Sequence, residues 1–565
     1  MTSRLIIAMG TLFGLAACGQ PEPAQQAAAV QLAPPAQPLA TTGLLPGSRP
    51  NILLVVADDL GYQDLSVFGG EIATPNIDSL FNAGVMLTQF YTSVSCQPTR
   101  AMLLSGTDHH LAGVGAQGRV VEGSASYQNR LTENVASIAE RMAALDYHTS
   151  MIGKWHLGME AGQTPADRGF ERSFVVLEAG AFHFDLIGYG ARDGVHYESD
   201  GEPVTSLPED FYTTVAYTDH MLGFIEEASA ANRPFFGYMA YTSPHWPIQA
   251  LDADMAKVRG RYSEGYDVIR ARRFERMKAL GLIPADAAAP QLAAGITPWN
   301  QLSAERQAEE IAVMEAYAAM VERLDAEVGR IKTRLQELGE LDNTLIMFMS
   351  DNGAEGTAED GPFLAQYRAQ FNNSVENTGK RDSYRMIGPG WGDAGAAFDF
   401  LSKGSMAQGG IHAPAVVSAP GLGLAPGRSD ALVAALDIAP TFVELAGGIN
   451  ATTIDGRSVL PMTGRSLAAL LRGEISAVRG DNETLAFELG GQRAVFRGKW
   501  KALWIQPPNG TGSWQLFNLA NDPGETTDLA AANADLMAEL AAAYDRHAAD
   551  VGVIPPGPPA AAAAQ

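Results

Sequence analysis

The chain has 565 residues, 46% of them hydrophobic and 18% charged, which provides for a large core and more than one domain and excludes intrinsic disorder. A formal net charge of -25 argues against nucleic acid or an anionic membrane surface as partner. Any anionic substrate must therefore be attracted by a local cluster of cations.

Arg4 precedes an apolar run from Leu5 to Ala17, too short for a typical membrane span and ending in small residues, so residues 1–17 read as an export signal. Leu15-Ala16-Ala17-Cys18 resembles a bacterial lipobox, in which Cys18 would carry lipid after cleavage. The Pro-, Ala- and Gln-rich stretch 18–48 reads as a flexible tether. These features predict an exported, periplasmic or cell-envelope protein that meets the membrane only through its lipid. Cys96 is then the single cysteine of the folded part, and no internal disulfide forms.

Four apolar runs predict buried strands of a mostly parallel sheet: Asn51 to Ala57, His148 to Ile152, Phe235 to Ala240 and Thr344 to Ser350. Each leads into polar or ionisable residues: Asp58 and Asp59; Lys154 and His156; His245; Asp351 and Asn352. Ligands of open α/β sheets bind outside the carboxyl ends of strands, so one edge can collect all of these. Met314, Tyr317, Val321, Leu324, Val328, Ile331 and Leu335 recur at three and four and predict a helix packed on the sheet. Shorter helices are predicted over 76–83 and 135–144. The long connections 250–300 and 354–402 predict lids or binding loops, with Tyr384 and Trp391 walling the substrate pocket. Beyond residue 480, short runs within 484–519 predict a small antiparallel sheet, followed by a helix over 533–549. The fold class is thus α/β, with a catalytic unit at 49–480, a C-terminal subdomain at 481–555 and a disordered tail at 556–565.

Cys96 stands just before Pro98, which suits the start of a helix, and Gly106 can end that helix. The thiol would lie at a helix N-terminus, where free N–H groups favour anions, with Arg100 one turn on. A lone cysteine is otherwise simply a small buried hydrophobe. Asp58, Asp59, Asp351 and Asn352 together offer hard oxygen ligands suited to Ca2+ or Mg2+, although each pair alone could be a turn. Lys154 and His156, two apart in an extended segment, face the same side. His245 lies between Pro244 and Pro247. Lys403 lies in Ser402-Lys403-Gly404-Ser405, a segment that alone reads as a flexible loop.

Cys96-Gln97-Pro98-Thr99-Arg100, followed by Leu103, Ser105 and Gly106 at fixed spacing, resembles the maturation signature of type I sulfatases, in the alkaline phosphatase superfamily. Gly106-Thr107-Asp108-His109-His110 and Asp522-Pro523-Gly524-Glu525 look like the bacterial arylsulfatase branch. The resemblance implies that a maturation enzyme oxidises Cys96 to formylglycine (3-oxoalanine), whose hydrate is the nucleophile. It implies one Ca2+ held by Asp58, Asp59, Asp351, Asn352 and residue 96. Arg100 would hold the hydrate, Lys154, His245 and Lys403 the sulfate oxygens, and His156 would act on the second hydroxyl. The implied reaction is hydrolysis of sulfate monoesters, aryl sulfates above all, through a covalent sulfo-enzyme intermediate. His412 stands where many relatives carry Arg, which puts the anchoring of the Lys403 loop in question. A phosphatase or phosphonate/phosphodiester hydrolase of the same superfamily, and a non-catalytic metal-binding lipoprotein, are the competing readings.

Overall fold

The computed structural model describes residues 48–555 except 191, 193, 290, 291, 360 and 361. The signal, lipobox and tail, and all of the tether but its last residue, lie outside the described residues. Asn51–Ala57 is a central strand of a ten-stranded sheet. It pairs in parallel with Thr344–Ser350 on one side and Phe235–Ala240 on the other. His148–Lys154 and Arg172–Val176 continue the parallel set, while Ala415–Ser418, Tyr197–Ser199 and the edge strand Glu202–Val204 are antiparallel to their neighbours. Every residue of the four predicted runs is buried, because apolar side chains on both faces are covered by helices or by core.

Register decides what the sheet presents. Ala57 pairs with Ser350, Val56 with Ala240, and Ala240 with Gly153. The residues that follow these positions therefore emerge at one level: Asp58, Asp351, Tyr241 and Lys154.

The helix Ala304–Glu337 buries all seven residues of the predicted stripe, and Ser303 caps its N-terminus by accepting from the Arg306 N–H. At about 1.5–3 kcal/mol per large apolar side chain buried, packing rather than propensity holds it. The helices predicted over 76–83 and 135–144 are found at Pro75–Ala83 and Ile138–Ala143. The two long connections are not bare loops. They carry the helices Asp252–Val258, Tyr266–Ala279, Pro362–Arg368 and Gly388–Ala396.

The C-terminal sheet is an antiparallel meander of Leu485–Leu489, Gln492–Arg497, Trp500–Trp504 and Gln515–Asn518. Alternation places Ala486, Val495, Ala502 and Leu516 against the helix Ala534–Val551. Phe487, Phe496, Leu503 and Phe517 point the other way and join the core of the large sheet.

Candidate active site

The helix Cys96–Ser105 is buried along its whole length, and Gly106 ends it in the left-handed region, donating to the Met102 carbonyl at 2.9 Å. It begins two residues earlier than a start at Pro98 predicts. Pro98 is tolerated there because the first turn has no intrahelical partner for its missing N–H. Cys96 is thereby the first helical residue and points at the carboxyl edge of the sheet.

Around it stand all the predicted residues. His156 Nδ1 is 3.6 Å from Cys96 Sγ. Lys154 Nζ donates to Asp58 Oδ2 at 2.8 Å. Arg100 donates through Nε and Nη2 to Asp351 Oδ2 at 3.0 and 2.7 Å, and through Nη1 to the Lys154 carbonyl at 2.9 Å. Lys403 Nζ reaches both oxygens of Asp59, at 2.7 and 2.8 Å. His245 Nε2 lies 3.4 Å from Asp59 Oδ2. Arg100, Lys154, Asp58, Asp59 and Asp351 have fully buried side chains, whereas His156 and Lys403 are partly exposed, so the site meets solvent on their side.

Two glycines make these approaches possible. Gly153 lies at φ 86°, and a Cβ there would stand 2.0 Å from the Ala240 carbonyl oxygen. A Cβ on Gly353 would stand 1.9 Å from the Gly409 oxygen. Its own N–H donates to Gly410, tying Asp351-Asn352-Gly353 to the segment after Lys403. The Lys403 loop is anchored at both of its other sides: Lys403 N–H donates to Ala354 and Gly404 N–H to Val94. His412 supports the same loop. Its Nε2 donates to the Thr88 carbonyl at 3.0 Å, Nδ1 lies 3.2 Å from Asp399, and Tyr62 stacks on the ring.

Charge explains the state of each group. Burial pushes the Cys96 thiol up, so it is not an activated thiolate. Burial, reinforced by the Lys154 and Arg100 charges, holds His156 well below the usual imidazole range, leaving it neutral with a lone pair to accept a proton. Burial and the Lys403 charge do the same to His245. Burial alone would lower Lys154, but Asp58 holds it above its ordinary value; Asp59 and Glu355 raise Lys403 in the same way.

The donor set fits a divalent cation. Asp58 Oδ1 and Asn352 Oδ1 are buried with no hydrogen-bond partner, which costs energy unless a cation fills the gap. Ligand atoms of Asp58, Cys96 and Asp351 lie within 4.8 Å of one another, as do those of Asp58, Asp59 and His245. Counting Glu355, 3.1 Å from Lys403, four carboxylates face three fixed cations. A divalent ion turns that single negative excess into a single positive one, the charge that a monoanionic ester neutralises.

Sequence reading missed Glu355 and Tyr189. Glu355 follows Gly353 by two residues, a signal that was available. Tyr189 stacks on His245 with rings 4° apart and its hydroxyl 3.0 Å from Nδ1, yet it comes from a connection with no pattern to find it by. Tyr384 stands behind it, donating to the Tyr189 carbonyl at 2.9 Å. Trp391 does not wall this pocket. It is buried against Tyr262, Tyr266 and Trp299 and donates to the Glu310 carbonyl, pinning an insertion to the long helix.

A mixed α/β sheet with cations and metal-ready carboxylates gathered at its carboxyl edge defines a hydrolase of anionic esters. The chain belongs to the sulfatase family: the Sulfatase family model matches residues 50–449. It is a sulfuric ester hydrolase, and the family's divalent metal and formylglycine apply to it. An uncharacterized sulfatase of Schizosaccharomyces pombe is 38% identical over 527 residues, 90% of this chain and 94% of that one. The arylsulfatase of Klebsiella aerogenes is 39% identical over 433 residues, 75% and 92% of the two chains. The crystal structure of Ps i-CgsB in complex with k-i-k-neocarrahexaose superposes with a TM-score of 0.63 at 26% identity, covering 89% of this chain and 94% of that one.

Proposed function

We propose that the protein hydrolyses aryl sulfate monoesters, with Ca2+ in the carboxylate site and residue 96 as formylglycine. The observation that carries this is the juxtaposition of Cys96 Sγ with a neutral His156 at 3.6 Å, inside a ring of three cations. Sγ marks the place that the formylglycine hydrate oxygens would take. Similarity to the Klebsiella arylsulfatase favours an aryl leaving group, and Tyr189 and Trp246, 4.6 Å apart beside His245, supply aromatic surface for one.

Asp58, Asp59, Asp351 and Asn352 would hold the ion, whose all-oxygen set favours Ca2+ over Zn2+. When bound, Ca2+ supplies Lewis acidity and formylglycine supplies a hydroxyl nucleophile with a second hydroxyl beside it. Arg100 fixes Asp351 and reaches towards the nucleophile's pocket. Lys154 and Lys403 place positive charge where sulfate oxygens gain negative charge, and His245 would donate there from Nε2 once protonated, its Nδ1–H being held by the Trp246 carbonyl. His156 would accept through Nδ1 the proton of the second hydroxyl of residue 96, on which sulfate release depends. Cys96 would need a formylglycine-generating enzyme as its maturation partner.

Leu15-Ala16-Ala17-Cys18 and the tether behind it support export and lipid anchoring through Cys18. Steady-state rates on a nitrophenyl sulfate and the matching phosphate, run side by side, test the assignment. A preference for the phosphate would transfer it to the phosphatase reading.

A further inference from the structure

Glu355 stands in the site with no role in the chemistry above. It is buried, at 3% exposure, two residues beyond Gly353. Oε2 lies 3.1 Å from Lys403 Nζ and accepts from Trp246 Nε1 at 3.3 Å, while Oε1 accepts from the Thr357 N–H at 2.5 Å. All three partners are donors, so nothing there would accept a carboxyl proton, and the group is ionised. Burial alone would raise its pKa, but Lys403 and the groups around it hold it well below the carboxylate range. Backbone geometry fixes the pair, because the Lys403 N–H donates to the carbonyl of Ala354, next to Glu355, at 2.9 Å.

The other carboxylates are accounted for. Asp58 pairs with Lys154, Asp351 with Arg100 and Asp59 with Lys403, one aspartate to each cation. The metal-competent groups at this edge contain Asp58, Asp59, Asp351, Cys96 and His245, but not Glu355. Glu355 therefore neither balances a bare cation nor ligates the ion. Its charge is left to act on the anion that enters.

We infer that Glu355 is a specificity-determining residue, selecting monoanionic esters over dianionic ones. Three aspartates cancel three cations, which leaves the two positive charges of a divalent ion, and Glu355 reduces them to one. A sulfate monoester carries one negative charge and neutralises that remainder. A phosphate monoester, with a second pKa of about 6, carries two above neutral pH and leaves an uncompensated charge in a buried site. The two esters have nearly the same shape, so charge is the difference left for the protein to read. This role presupposes the sulfate-ester site and the ion proposed above.

Benzenesulfonate and phenylphosphonate test the role at equilibrium, being matched in shape but different in charge at about pH 8. Calorimetric titration of the matured, Ca2+-loaded enzyme should show tighter binding of the sulfonate in wild type. Glu355→Gln should move the ratio of the two dissociation constants towards the phosphonate by about tenfold or more. The kcat/KM ratio for nitrophenyl sulfate and nitrophenyl phosphate should move in the same direction. Glu355→Ala, which sets no amide N–H2 against Lys403, should show the same shift. Glu355→Asp keeps the charge and should keep the wild-type preference, whatever its rates. Unchanged ratios in both Glu355→Gln and Glu355→Ala, or an equal shift in Glu355→Asp, overturn the inference. A wild type that prefers phosphate esters overturns the sulfate assignment itself, and that result is read without any variant.

Discussion

His156→Ala isolates the second half of the reaction. In the wild type, Nδ1 lies 3.6 Å from Sγ, and desolvation with the Lys154 and Arg100 charges keeps the ring neutral. The unpartnered oxygen of Asp58 near residue 96 is reserved for the metal. Lys154 and Arg100 are held protonated by Asp58 and Asp351. Loss of a positioned general base costs about 10²–10⁴ in rate, or about 2.7–5.5 kcal/mol in barrier. Because the cations that receive the sulfate remain, the deficit should fall on release rather than on attack. Rapid-mixing with a nitrophenyl sulfate should therefore show one equivalent of phenol released quickly, then a slow steady state. Mass spectrometry of the quenched variant should find sulfate on residue 96. The sign of the pH dependence follows from the same ring. A base works only unprotonated, and its pKa is depressed, so wild-type turnover should fall on the acid side below the ordinary imidazole value of 6.5, not at it. A variant slowed equally in burst and steady state, with no trapped sulfate, would refute the role and leave His156 as packing.

Peptide mass spectrometry should find residue 96 lighter than cysteine by about 18 Da, from the atomic masses of –CH2SH and –CHO, and Cys96→Ser should stop after one turnover because a sulfated serine has no second hydroxyl. Asp351→Ala removes a metal ligand and strands the buried Arg100 guanidinium, so calcium content and activity should both be lost and unfolding should become easier by about 3–5 kcal/mol, read by denaturant titration. Chelation of Ca2+ should abolish activity and lower the melting temperature, both restored by Ca2+; stoichiometric zinc in the carboxylate site of protein purified without added metal would count against the assignment. His183 donates through Nε2 to the His245 carbonyl and is held by burial at a pKa of about 4. A depressed folded pKa means that stability is complete above pH 6.5 and falls as pH drops to about 4, by about 3 kcal/mol in all; His183→Gln should flatten that segment of a stability–pH profile, and an unchanged slope would exclude His183 as its source.

How much of this was legible in the linear sequence differs by element. The strands Asn51–Ala57, Phe235–Ala240 and Thr344–Ser350 were readable to the residue, since burial on both faces demands an unbroken apolar run, and Asp58 and Asp351 mark the ends of two of them. The long helix was readable from its stripe, and the nucleophile helix from Pro98 to Gly106, two residues short at its start, with a cap that needs the left-handed region. The ligand types were legible only as a set, because each acidic pair alone could have been a turn. Tertiary structure alone decided which of them meet. The pairing of Ala57 with Ser350 brings Asp58 beside Asp351 across about 290 residues of chain, and no local pattern encodes register. It also decided the fate of aromatic residues: Tyr189 came to the site and Trp391 went to the insertion core, although both lie in connections of mixed composition. An aromatic ring is buried wherever a matching surface closes over it, and that surface is made by segments distant in sequence.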